Sequence, residues 1–345
     1  MLPSLDMFQW WSWIVCIVLL ILGIFFLVKF SDIFVDASSS IAKRFHISEM
    51  IIGLTIVAFG TSCPELAVSV SDSITCLLEG GNANVAIGNV VGSNICNLLL
   101  VLGFSAIFTP ILIKKTVCKK EFPILVFVTA LLVIFGLCFN LNGVYAILRW
   151  EGIIFILLIL VYVVYLVFDA KRMMKSGIEM EAEEIALMPT WKSIVFVLLG
   201  LIGIAVGGEA VVYGAKNIAV GVGDIAHLNH DLVESLVGLT IVAVGTSLPE
   251  LVTSIVAAKK GQNDMALGNV IGSNIFNILF VLGIAGTINP LTVGNQIVFD
   301  LTVMMISTLL VFGLCFFGKI NRKCGAALLG CYAGYLIYLI CRTVM

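Results

Sequence analysis

Residues 53–66 read GLTIVAFGTSCPEL and residues 238–251 read GLTIVAVGTSLPEL, so only two of the fourteen positions differ. Each copy sets an acid, Glu65 or Glu250, directly after a proline inside an otherwise apolar run. A proline lacks an N–H, and its ring clashes with the carbonyl four residues back. Pro64 should therefore release the carbonyl of Gly60, and Pro249 that of Gly245. In hydrocarbon a released carbonyl needs another partner, and a carboxylate needs a cation or a counter-charge. Both features are costly in a membrane helix, and their repetition argues against accident.

Composition places the run in a membrane. The 345 residues are 61% hydrophobic and only 12% charged, with a mean hydropathy of +1.15. A soluble chain carries about twice that charged fraction. The reading is an all-α polytopic membrane protein with the lipid bilayer as its surroundings. A net charge of −2 with no basic run gives no support to a nucleic-acid partner. Ten cysteines are scattered singly, with no CxxC pair or Cys/His cluster, so zinc and redox sites are unsupported and no cofactor is expected. The cysteines read as small buried hydrophobes. The N-terminus lacks a basic leader region, and the first apolar run is long enough to remain as a span.

Charge-poor runs near the roughly 20 residues a bilayer requires fall at 8–27 (continuing towards 42), 48–77, 83–108, 122–139 and 152–168. After a polar linker at 169–191 they resume at 193–219, 231–258, 264–286, 298–317 and 325–341. That gives ten transmembrane helices. With the N-terminus outside, 15 of the 19 basic residues fall on the inner side, among them Lys43, Arg44, Lys114, Lys171, Lys260 and Lys323. This is the positive-inside asymmetry.

The duplication runs beyond the motif. NVAIGNVVGSNICNLLLVLG at 84–103 is echoed by DMALGNVIGSNIFNILFVLG at 264–283, and Ile41-Ala42 by Ile218-Ala219. Five spans is an odd number, so the second set enters from the opposite face. Residues 1–168 and 192–345 are expected to be two inverted-topology five-helix repeats joined by a cytoplasmic linker at 169–191. Such repeats bring broken helices together near the midplane, where transporters bind substrate.

Thr61 and Ser62 precede Glu65 by four and three residues and share its helical face. Carboxylate, hydroxyls and loose carbonyls form an all-oxygen donor set, which suits hard cations such as Ca²⁺ and Na⁺. Asn89, Ser93 and Asn97 recur every four residues, as do Asn269, Ser273 and Asn277. Each trio makes one polar stripe, with Gly88/Gly92 and Gly268/Gly272 between its members. One such stripe serves equally well as glue between helices; two stripes, each following a GTSxPE motif, favour ion coordination. No basic residue lies in the neighbouring core segments to neutralise Glu65 and Glu250. Asp72 reads as a solvated helix end. Asp32, Asp36 and Glu209 read as bonds between helices, and Glu179, Glu181, Glu183 and Glu184 as a solvated loop without EF-hand spacing.

At these residues the chain resembles the cation/calcium antiporter superfamily, and within it the prokaryotic Na⁺/Ca²⁺ exchanger branch. GTSCPE with GNVVGSNICN is similar to that family's first repeat, and GTSLPE with GNVIGSNIFN to its second. The resemblance implies electrogenic exchange of Ca²⁺ for Na⁺ by alternating access in the cell membrane, with both ions as substrates and a monomer as the working unit. It implies that Glu65 and Glu250 share Ca²⁺ and that Thr61 and Thr246 help to coordinate both ions. Ser62, Ser93, Ser247 and Ser273, with the carbonyls of Ala58 and Ala243, would complete flanking Na⁺ sites, and Asn97 and Asn277 would face the centre. Some members, the K⁺-dependent branch among them, carry aspartate where this chain has Asn277, which argues against K⁺ co-transport. The competing readings are an H⁺/Ca²⁺ or other divalent-cation antiporter on the same fold and, further off, a cation channel. An enzyme is disfavoured, since no nucleophile–base set or phosphate loop appears.

Overall fold

The computed structural model describes residues 10–79, 84–138, 140–141, 144–176, 187–225 and 243–344. Helix α1 (Trp10–Arg44) runs for 35 residues without a proline. The first motif region follows as α2 (Glu49–Ile52), a π turn (Gly53–Val57) and α3 (Ala58–Thr61), then α4 (Cys63–Glu79). Next come α5 (Asn84–Cys96), a π turn (Asn97–Val101) and α6 (Leu102–Phe108), which stack as one rod. Strand β1 (Ile111–Leu112), α7 (Lys115–Lys119), α8 (Glu121–Cys138), β2 (Asn140–Leu141), β3 (Val144–Ile147) and α9 (Arg149–Ser176) complete the first half.

The second half opens on another long helix. Helix α10 (Thr190–Ile225) is 36 residues long. Then come α11 (Ala243–Thr246), α12 (Leu248–Lys259), α13 (Asn263–Phe276), a π turn (Asn277–Val281) and α14 (Leu282–Ile288). Strand β4 (Leu291–Val293), α15 (Asn295–Cys315), β5 (Lys319–Ile320) and α16 (Arg322–Val344) close the chain. The described residues contain eight helices long and apolar enough to cross a membrane. The helix pair 49–61 and 63–79, bent by 46° at its break, is long and apolar enough to add a ninth if the two pieces make one span. The expected span at 231–258 lies partly outside the described residues, and the linker acids at 179–184 lie wholly outside them.

Burial separates a centre from a rim. In the most apolar 18-residue stretch of Val85–Phe108 and of Asn263–Ile288, 78% of the residues are buried, against 22% for Trp10–Arg44 and Arg322–Arg342. These two crossings are also the ones with the polar stripes, so asparagine and serine face protein rather than lipid, as polar groups in hydrocarbon must. Helices α1 and α10, about 52 and 54 Å long at 1.5 Å per residue, exceed a hydrocarbon core of roughly 30 Å and lie together along the side. Glycine sets their approach: a Cβ on Gly23 would stand 2.8 Å from the Gly207 carbonyl, and one on Gly207 would stand 2.9 Å from that of Gly23.

The first motif packs on α13 in the same way. A Cβ on Gly53 would meet the Met265 carbonyl at 2.6 Å, and one on Gly268 would meet that of Met50 at 2.7 Å. Gly268 and Gly272 thus do act as a close-approach pair. The segment that matches Gly53 in the second half, 238–242, lies outside the described residues. At the bundle ends the halves are tied by short antiparallel ladders. Strand β1 pairs with β5 (Ile111 opposite Ile320), and β3 with β4 (Tyr145 opposite Val293).

Candidate functional site

Both motif helices break at the serine before the proline dipeptide. Ser62 has φ −84° and ψ 4°, and Ser247 has φ −88° and ψ 3°. Each stays in the helical half of the map while losing the regular ladder, which is what a proline two residues on imposes. The breaks lean on α10: a Cβ on Gly60 would overlap the Leu201 side chain, and one on Gly245 that of Val212. Pro64 and Pro249 therefore bring both glutamates to helix starts beside the two central helices.

There the two halves meet, with bonds inside the first half and others between halves. Ser93 Oγ donates to Glu65 Oε1 at 3.1 Å, and Ser62 Oγ donates to Glu250 Oε1 at 3.3 Å. The hydroxyls of Thr61 and Ser273 stand 3.4 Å apart, as do those of Ser93 and Thr246. Thr61 also donates to Asn269 Oδ1 at 3.2 Å and to the Ala58 carbonyl at 3.4 Å. Glu65, Glu250, Ser247, Asn97 and Asn277 are all 0% exposed. Of the anticipated set, Ala58, Thr61, Ser62, Glu65, Ser93, Thr246, Glu250 and Ser273 meet in this layer. Asn97 and Asn277 begin the π turns one helical turn beyond Ser93 and Ser273. Ala243 opens the described part of the second motif.

The electrostatic demand is sharp. Glu65 Oε2 and Glu250 Oε2 are buried and have no hydrogen-bond partner among the described residues. Neither glutamate enters an ion pair among the described residues. A carboxylate moved out of water without compensation costs several kcal/mol or more, and here two lie side by side. No group of three or more His, Cys, Asp or Glu side chains forms a metal cluster among the described residues. Any cation held here would take two carboxylates and complete its shell with hydroxyls and carbonyls.

Other polar residues have structural work. Asn89 Nδ2 donates to Ser69 Oγ at 3.1 Å and to the Glu65 carbonyl at 3.3 Å. Asn269 Nδ2 repeats this with Ser254 Oγ at 2.9 Å and the Glu250 carbonyl at 3.5 Å. These stripe members fasten the glutamate helices to the central ones. Asp72 accepts from the Ala86 N–H at 3.0 Å, satisfying a free donor in the first turn of α5. Asp32 and Asp36 both pair with Lys260 at 2.6 Å, joining α1 to the end of α12. The stripes missed Asn94 and Asn274, which are 1% exposed and lie about 100° around the helix from the serines before them. The GSN tripeptide repeated at 92–94 and 272–274 marks them in the sequence.

Broken helices, a polar layer supplied jointly by both motif copies and an apolar rim define a multi-pass membrane protein of the transporter class. The sodium/calcium exchanger protein family model matches residues 15–168 and 192–341, and the chain belongs to that family. It is 38% identical to CaxA of Alkalimonas amylolytica over 334 residues, 93% of this chain and 98% of that protein. To the sodium/calcium exchanger MaX1 of Methanosarcina acetivorans it is 34% identical over 356 residues, covering 93% and 97%. Among solved structures it is similar to the sodium-calcium exchanger NCX_Mj, in the crystal soaked with zero Na⁺ and Ca²⁺. The TM-score is 0.76 at 33% identity, over 93% of this chain and 97% of that one.

Proposed function

We propose that the chain exchanges Ca²⁺ for Na⁺ across the cell membrane as a monomeric, electrogenic antiporter working by alternating access. The observation that carries this is the pair of buried glutamates, each with one oxygen unpartnered and the other bonded by a serine hydroxyl, Glu65 by Ser93 of its own half and Glu250 by Ser62 of the other. A divalent cation neutralises both at once. Monovalent ions can occupy the flanking oxygen sets, Thr61, Ser62 and Ser273 on one side and Ser93, Thr246 and Ser247 on the other, with the carbonyls of Ala58 and Ala243. Asn97 and Asn277 complete the central layer. The names of MaX1 and NCX_Mj support sodium and calcium as the substrates.

In this reading residues 1–168 and 192–345 form two inverted five-helix repeats, ten crossings in all, with 169–191 as a cytoplasmic linker and the N-terminus outside. The matched asparagine anchors, Asn89 on the Glu65 helix and Asn269 on the Glu250 helix, support the two-fold relation. The test is uptake of radiolabelled Ca²⁺ into proteoliposomes driven by an outward Na⁺ gradient. Uptake that ignores Na⁺ but follows a pH gradient would establish the H⁺/Ca²⁺ alternative instead.

A further inference from the structure

Asn94, Asn97, Asn274 and Asn277 are each at most 1% exposed and lie where the two central rods face one another. A side-chain amide has two ends of nearly equal shape and opposite polarity, an oxygen that attracts a cation and an NH₂ that repels one. Packing alone does not choose between them, so hydrogen bonds must. We propose that Asn94 is a positioning residue that fixes the polarity of Asn277, so that Asn277 presents its oxygen to the cation. This rests on the cation site proposed above.

The choice begins at a group that cannot turn over. The backbone carbonyl of Asn274 only accepts, and Asn94 Nδ2 donates to it at 3.4 Å, with Met304 Sδ at 3.8 Å on the same amide nitrogen. Asn94 Oδ1 is thereby turned the other way, and it accepts from Asn277 Nδ2 at 3.2 Å. With its NH₂ so engaged, Asn277 is left with Oδ1 buried and unpartnered. This oxygen belongs to the stripe of Asn269 and Ser273, both of which meet Thr61. Flipping Asn277 alone would set two amide oxygens against each other. Flipping both amides would set Asn94 Oδ1 against the Asn274 carbonyl. Either fault puts two acceptors in contact in a dry interior, where an unmade hydrogen bond is most costly.

Among the described residues the other half lacks the relay. By sequence match Asn274 stands where Asn94 does, and Asn97 where Asn277 does. Yet both polar atoms of the Asn97 side chain and both of Asn274 have no partner. One amide of the central layer is therefore oriented and its mate is not, which makes the two sides of the site unequal.

The experiment is Na⁺-driven uptake of radiolabelled Ca²⁺ by the full chain in proteoliposomes. Asn94→Leu is expected to raise the KM for Ca²⁺ roughly three- to ten-fold, the span of one buried hydrogen bond, with kcat near that of the unmodified chain. Asn94→Ser, too short to reach Asn277, gives the same shift and serves where leucine disturbs folding. In an Asn277→Ala background, where no amide remains to be oriented, either change moves KM by less than about two-fold. An unchanged KM in both variants, or an equal shift with and without the Asn277 amide, overturns the proposal. Failure of the unmodified chain to take up Ca²⁺ against a Na⁺ gradient would instead overturn the exchange reading. The same cycle, read by equilibrium Ca²⁺ binding to the purified protein, then decides the role of Asn94.

Discussion

At the scale of single residues, the proposed exchange rests on two carboxylate oxygens without a partner among the described residues. Glu65 Oε2 and Glu250 Oε2 are buried and unbonded, while their sister oxygens are steered by Ser93 and Ser62. A glutamine in either place keeps the shape and the serine contact and removes only the charge. One unit charge at 4 Å is worth about 4 kcal/mol at an effective dielectric constant of about 20. Glu65→Gln and Glu250→Gln are each expected to reduce Ca²⁺ exchange by about a hundred-fold or more while the protein stays folded and monodisperse. Substantial Ca²⁺ transport by either folded variant would remove that glutamate from the site. The glutamates were legible because an acid after proline in an apolar run has few structural uses, and duplication reduced these further. Asn94 was not legible from a four-residue periodicity: it sits off the stripe, and its role depends on a backbone carbonyl of the other half.

At the scale of elements, the proline-induced break and the glycine crossings carry the architecture. The 46° bend falls at Ser62, where the sequence places it. The π turns at 97–101 and 277–281 left no mark in the hydrophobic pattern, because one extra residue per turn barely disturbs an all-apolar run. The crossing of α2 and its π turn over α13 leaves no room at Gly53, where a methyl group would press on backbone atoms of Met265 and Gly268. Gly53→Ala and Gly268→Ala should each lower stability by about 1–3 kcal/mol, as overpacking does, readable as a fall in melting temperature in detergent. A normal melting temperature for both would mean that this crossing is looser than described. The alternating-access reading assigns motion to α1 and α10 against the central rods. Ser31 Oγ on α1 lies 3.2 Å from Thr253 Oγ1 on α12, both buried. A disulfide in the double variant Ser31→Cys/Thr253→Cys should arrest exchange, and a reductant should restore it. Unchanged turnover in the fully cross-linked protein would exclude sliding at this contact.

At the scale of the whole molecule, the charge count decides how transport couples to the membrane. The central layer holds two carboxylates, Glu65 and Glu250, and two amides, Asn97 and Asn277, all 0% exposed. Amides do not titrate, so the layer has no third acid to carry a proton through the cycle. One Ca²⁺ balances the two carboxylates. The three Na⁺ implied by the family resemblance would exceed them by one charge, so the Na⁺-loaded protein would carry a net positive charge and the Ca²⁺-loaded one none. Each cycle then moves one charge inward with Na⁺, worth about 2.3 kcal/mol per 100 mV, and an inside-negative potential favours Ca²⁺ extrusion. Two consequences can be measured in proteoliposomes. First, imposing an inside-positive potential with valinomycin should accelerate Na⁺-driven Ca²⁺ uptake, because Na⁺ leaving the vesicle carries the net charge out. Second, replacing K⁺ by choline or Li⁺ under a different clamp should leave exchange intact. Acidification should slow exchange, since protons compete with Ca²⁺ for the same two carboxylates, but a pH gradient alone should drive no uptake. Exchange indifferent to potential would mean that the loaded states carry equal charge, with two Na⁺ per Ca²⁺, and one oxygen set beside the glutamates would then have to lose its assignment as a Na⁺ site.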